Sequence, residues 1–262
     1  NAPIFIFPVN LFSFVSFHEV CSEVSYSCSC IKDVLVSLAW HYFKACCVSE
    51  DLLSSKKTIG LSKKTELIFP FVGIHPGKAD EKLEPILELI NQNIGGIAGI
   101  GEIGLDSTYV SSESEFQRQE QLFRGQLAIA EKIQKPISIH SRKTLDKIYE
   151  IIPSYSLRGM VLHWFDGNKQ QLTKAMDLGF FVSFGPLLVY AKDKQVLLSK
   201  TEINRILVET DGPVKFSRCF ALKSAQVSFI PSIIFCASKV LRKSYDEFSA
   251  ILEKNSNDFL GI

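Results

Sequence analysis

The sequence predicts an α/β chain closing as a (β/α)8 TIM barrel, on three observations. Six short apolar runs alternate with helical patterns from Ile68 onward. The length of 262 residues suits one closed barrel domain spanning 1–262. Several of the apolar runs end in a histidine or a carboxylate, and in a barrel the strand C-termini face one mouth.

The elements follow in order. Residues 1–47 are atypical, with only five charged residues against 52 in the remaining 215, and they leave the first two strands poorly defined. Phe5–Val9 or Phe12–Phe17 can be a strand and Val34–Phe43 a helix. A helix follows Asp51 to about Thr65, and Ile68–Ile74 is a buried strand ending in His75-Pro76. Glu81–Asn91 is helical, with Leu83, Ile86, Leu87 and Ile90 on one stripe. Gly95–Asp106 is the central strand, and Glu113–Gln134 is a long helix burying Phe116, Phe123, Leu127 and Ala130.

Strand Pro136–Ile139 runs into His140-Ser-Arg142, with a helix from Leu145 to Ile152. Met160–Leu162 ends in His163 and precedes a helix over Lys169–Leu178. Phe180–Phe184 ends in Gly185-Pro186, and a polar helical stretch leads to Ile203. Arg205–Val208 ends in Glu209-Thr-Asp211, before helices over Ala225–Leu241 and Tyr245–Leu260. Continuous apolar strands joined through helices imply a parallel sheet covered on both faces, and residues 1–68 have room for the two missing strands.

Composition bounds the function. A net charge of +1 gives no global basic field, so contact with nucleic acid must come from a local patch. No apolar run reaches a membrane-spanning length; residues 2–17 come nearest, broken by Pro8 and Asn10 and without a basic leader, so neither a membrane partner nor a signal peptide is expected. Five of seven cysteines lie in the first 47 residues without zinc-finger spacing, which fits reduced thiols in a cytoplasmic protein.

The stretch GGIAGIGEIGLD (Gly95–Asp106) delivers two carboxylates, Glu102 and Asp106, from an apolar strand whose glycines admit close neighbours. A Glu in such a setting requires a cation or strong donors. With His140, His163 and Asp211 at other strand ends, Glu102 completes a set of two imidazoles and two carboxylates that can hold one or two divalent cations, Mg, Mn or Zn. His75 and Arg142 add donors suited to a phosphate.

These motifs resemble those of the TatD-type metal-dependent deoxyribonucleases, amidohydrolase-like TIM barrels. The matching segments are VGIHP (Val72–Pro76), GEIGLD (Gly101–Asp106), PISIHSR (Pro136–Arg142), VLHWFDG (Val161–Gly167) and VETDGP (Val208–Pro213), with EKNSNDFLGI (Glu253–Ile262) similar to the closing helix. The resemblance implies that Glu102 bridges two metals, that His140 and His163 complete one, and that Asp211 binds the other and helps activate water. It gives His75 and Arg142 to the substrate phosphate, and DNA, single-stranded at its ends, as the substrate.

One departure is plain. The family's first strand carries a His-x-His pair of ligands, and this chain has no His-x-His; its early histidines are His18 and His41. The accounts that stay open are a misread N-terminal stretch, a weakened site with His18 recruited, or a non-catalytic binding protein. An amide- or lactone-cleaving barrel is the other hydrolytic reading; a lysine on the fourth strand would favour it, and Glu102 stands there.

Overall fold

Eight strands form one parallel sheet whose spatial order is the chain order, β1 to β8. The computed structural model describes residues 11–16, 43–212 and 214–262. The strands are β1 (Leu11–Ser16), β2 (Phe43–Val48), β3 (Ile68–Val72), β4 (Gly99–Asp106), β5 (Ile137–Arg142), β6 (Met160–Leu162), β7 (Phe181–Phe184) and β8 (Ile206–Val208). Each pairs in parallel with the next, and β8 comes back beside β1. The expected barrel is borne out.

Among the described residues the helices are α1 (Leu52–Ser62), α2 (Leu83–Gln92), α3 (Glu113–Ile133), α4 (Leu145–Ile151), α5 (Lys169–Asp177), α6 (Lys192–Leu198), α7 (Ile230–Val240) and α8 (Tyr245–Leu260). Their starts carry local signals. Asp51 and Ser54 form a reciprocal capping box on α1, as do Asn168 and Gln171 on α5 and Ser244 and Glu247 on α8. On α3, Phe123, Leu127 and Ala130 are fully buried, as their spacing predicts, and Phe116 is partly buried.

At the N-terminal end, strand β1 agrees with the Phe12–Phe17 expectation, whereas the alternative at Phe5–Val9 lies outside the described residues. The helix expected over Val34–Phe43 is corrected at its last residue, because Phe43 opens β2; residues 34–42 lie outside the described residues. The strand is held by parallel pairing on both sides, with β1 and β3, and it carries the Cys46-Cys47 pair. Both are completely buried and behave as small apolar residues in a strand rather than as redox or metal groups.

One apolar cluster joins Cys46 and Val48 of β2, Phe71 of β3, Val161 of β6, Phe181 of β7 and Leu207 of β8. Those strands are not all neighbours, so the cluster is the barrel interior. Phe259 of α8 plugs it, stacked on Phe71 at 6.0 Å and edge-on to Phe181 at 5.6 Å. A Cβ on Gly99 would run into the Phe71 ring, which is why the strand beside this large side chain begins with glycine. Asn255, also on α8, donates to the carbonyls of Ile203 and Ile206, both at 2.8 Å, fixing that helix to the start of β8.

A beta-hairpin of β9 (Lys215–Phe216) and β10 (Lys223–Ser224) follows β8. It occupies part of the connection to α7, which begins at Ile230 rather than at Ala225 as the sequence suggests.

Candidate metal centre

Strand β4 carries an extra residue against β5. Ile100 pairs with Ile137 and Ile103 with Ile139, so the chain bulges at Gly101-Glu102. A bulge re-aims the side chain it carries, and here that side chain is Glu102, buried at 2% exposure. The chain just past β2, two strands away, supports it: the Glu102 N–H donates to the Ser49 carbonyl at 2.7 Å.

Glu102 Oε1 is the common partner of three imidazoles. It lies 3.0 Å from His140 Nδ1, 3.7 Å from His163 Nε2 and 3.9 Å from His75 Nε2. Burial alone would raise its carboxyl, but His163, His140 and His75 together hold it well below the usual carboxylate range.

Two more carboxylates grip the rear of the imidazoles. His140 Nε2 lies 2.8 Å from Asp106 Oδ2, and His163 Nδ1 lies 2.7 Å from Glu209 Oε2. Asp106 and Glu209 are both fully buried. Burial opposes charge on either imidazole, yet Asp106 and Glu102 raise His140, and Glu209, Glu102 and Asp211 raise His163 well above the ordinary value. Glu209 is itself fixed by Ser183 Oγ–H at 2.6 Å and by the Trp164 N–H at 2.8 Å. With rear nitrogens bound to carboxylates, His140 presents Nδ1 and His163 presents Nε2 toward Glu102.

Asp211 Oδ1 stands 3.3 Å from His163 Nε2, so Glu102, His140, His163 and Asp211 converge as a connected set. Asp211 (φ 51°) and Trp164 (φ 42°) both adopt the left-handed conformation just beyond their strand ends, a cost that recurs at functional sites.

His75 is different. His75, Glu102 and His140 offer donor atoms within 4.8 Å of one another, close enough to share an ion. Yet His75 Nδ1 accepts the Gly77 N–H at 3.0 Å, so the neutral ring carries its proton on Nε2 and is a donor toward the site. Arg142 ends β5 two residues beyond His140, on the same strand face, and is exposed.

The donor set fits a divalent cation. It offers two oriented imidazole nitrogens and two carboxylates at the mouth of a barrel, with carboxylate–histidine pairs behind them. Strand β1, Leu11–Ser16, contains no histidine, and His18 and His41 lie outside the described residues.

Sequence reasoning assigned no role to Glu209 and left Asp106 only as a strand-end acid. The signal was present, since Asp106 lies four residues after Glu102 and Glu209 two residues before Asp211, even spacings that place strand side chains on one face. It also missed two buried glutamines on α3, seven residues apart. Gln126 accepts from the Ile74 N–H at 2.7 Å and donates to the Ile74 carbonyl at 3.0 Å. Gln119 accepts from the Asp106 N–H and donates to the carbonyls of Asp106 and Pro76.

Comparison with known proteins agrees with the family resemblance and the fold. The family described as TatD related DNase matches residues 37–261. The "Uncharacterized metal-dependent hydrolase YjjV" of Escherichia coli is 28% identical over 60% of this chain, and the match spans 62% of that relative's length. The "3'-5' ssDNA/RNA exonuclease TatD" of Pectobacterium atrosepticum is 30% identical, over 62% of this chain and 66% of its own. The crystal structure of YjjV, a TatD homologue from Escherichia coli, superposes with a TM-score of 0.86 at 21% identity, covering 96% of this chain and 98% of that one.

Proposed function

The chain belongs to the TatD related DNase family of metal-dependent hydrolases, and on that premise we propose that it cleaves phosphodiester bonds of DNA, acting on single strands near their ends. The observation that carries this reading is the convergence of three imidazoles on Glu102 Oε1. The relative named as a single-stranded exonuclease supports the choice of substrate.

Glu102, His140 through Nδ1, His163 through Nε2 and Asp211 would hold one or two divalent cations. A cation bound there supplies Lewis acidity toward water and toward a phosphoryl oxygen. Asp211 takes the proton of the attacking water, whose oxygen bonds to phosphorus as the ester P–O bond to the leaving strand breaks. His75 Nε2–H donates to the phosphate, and Arg142 meets the strand from the rim. Glu209 and Asp106 keep the two imidazoles in the required tautomer.

The ligand set also bears on the metal. Glu102, His140 and His163 suit a tightly held ion such as Zn²⁺. Asp211 with Glu102, two carboxylates, suits a weaker Mg²⁺ or Mn²⁺. No described helix is long and apolar enough to cross a membrane, and the free thiols Cys46, Cys47, Cys219 and Cys236 fit a cytoplasmic setting.

The test is cleavage of a labelled single-stranded oligonucleotide and its duplex, with Mn²⁺ or with chelator. Metal-dependent cleavage favouring the single strand is expected. Metal-dependent hydrolysis of an amide or lactone with none of DNA would replace the reading.

A further inference from the structure

A cavity of about 320 Å³ opens beside His75, between the Pro76–Asp80 turn and the Thr108–Ser111 loop, with Arg118 and Gln119 of α3 beneath. We infer that it is a pocket for the terminal nucleoside of the strand, with Tyr109 as its stacking wall. The inference rests on the nuclease reading and names how that site would recognise its substrate.

Its position comes first. Gln119 is buried and bonded to the backbone of both Asp106 and Pro76, so the two walls are held to each other and to the partner of His140. Tyr109 is 58% exposed and stands edge-on to His75, ring centres 5.8 Å apart. From there the rings continue across the mouth: His75 to His140 at 4.5 Å, His140 to His163 at 6.5 Å, and His163 to Trp164 at 6.5 Å. The cavity is thus one imidazole away from Glu102. An exposed aromatic face beside a phosphodiester site is a platform for a base, whatever its identity.

Charge then decides what the pocket takes. Asp80 and Glu115 both line it, and the lining cation, Arg118, is engaged with Asp80 at 3.0 Å. Glu115 accepts from the Ser111 N–H and hydroxyl. A phosphate would meet two carboxylates for one committed guanidinium. A nucleoside brings no charge and offers hydroxyl and amino donors to those acids. A strand running on through the pocket would press its next phosphate against Asp80 and Glu115, so the pocket selects an end.

The far side of the mouth has the opposite character. The β9–β10 hairpin exposes Lys215, Arg218 and Lys223, and no acidic residue occurs between Asp211 and Asp246. Trp164 stacks on Phe216 of that hairpin at 5.5 Å. Cationic charge and an aromatic face suit the phosphates and bases of the rest of the strand.

The experiment compares oligodeoxynucleotides carrying an intact nucleoside, an abasic residue or a phosphate at one end or the other, with Mn²⁺ present. An abasic residue or a phosphate at the recognised end should lower kcat/KM on the order of tenfold, and Tyr109→Ala should bring intact and abasic ends within about twofold of each other, as loss of the stacking wall requires. Calorimetric titration of deoxyadenosine into the metal-free protein gives a second readout. Binding should weaken on the order of tenfold in Tyr109→Ala and survive in Tyr109→Phe. Cleavage indifferent to abasic residues at both ends, or equal deoxyadenosine affinity in Tyr109→Ala, would overturn the pocket. Deoxyadenosine binding that needs Tyr109, with no cleavage of any DNA, would support the pocket and overturn the nuclease reading instead.

Discussion

Glu209 Oε2 lies 2.7 Å from His163 Nδ1, and the carboxylate is wholly buried. It therefore decides which nitrogen of His163 faces Glu102. Glu209→Gln keeps the shape and removes the charge, so the imidazole loses basicity and its fixed tautomer. Metal affinity should fall about 10- to 100-fold, measured by competition with a chromogenic chelator. Unchanged affinity would mean that His163 is oriented by something else.

Gln126 closes both hydrogen-bonding groups of Ile74, the residue before His75. Gln126→Leu leaves a buried N–H and a buried carbonyl without that partner and should cost about 3 kcal/mol of stability. Denaturant unfolding reads it directly. A loss below about 0.5 kcal/mol would show that the clamp is dispensable.

Gly104 has φ 151°, and a Cβ there would collide with the carbonyl oxygen of His140 on β5. Gly104→Ala should therefore destabilise by about 3 kcal/mol through backbone strain and overpacking. It should also disturb the site, because the displaced strand segment carries His140. A variant as stable as the original chain would contradict the close approach of β4 and β5.

Burial pushes the thiols of Cys46 and Cys47 well above their ordinary range, with Cys46 adding to the effect on Cys47. Neither should react with iodoacetamide at neutral pH in the folded protein, whereas the exposed Cys219 should. The sign for stability follows: the fold keeps these protons and the unfolded chain releases them. Their contribution is complete below about pH 8.5 and is lost as pH rises toward the raised folded values. Site-mapped mass spectrometry checks the labelling, and modification of Cys47 as fast as Cys219 would refute the burial.

Much of the barrel was legible in the sequence, for a physical reason. Strands β3 to β8 are buried on both faces and read as continuous apolar runs, and a parallel barrel places their polar ends at one mouth. Glu102, His140, His163 and Asp211 stood out as candidates because a charged or imidazole side chain interrupts or ends such a run. Strand β2 was not found, because Cys46-Cys47 in a stretch poor in charge gives no alternation to read. Nor was the bulge at Glu102, which is a relation between β4 and β5 that neither strand carries alone. Gln119 and Gln126 of α3 drew no assignment, since a glutamine announces burial only through the backbone it meets. The β9–β10 hairpin is two residues on each side, too short for any period.

The most direct test of the account is metal content after dialysis, in the original chain and in Glu102→Gln. The account predicts one tightly bound ion in the original chain, a second that binds only at millimolar concentration, and loss of both in Glu102→Gln, since Glu102 stands between His140, His163 and His75. Elemental analysis with titration of added Mn²⁺ reads both positions. Absence of any bound metal, or equal retention in Glu102→Gln, would contradict it.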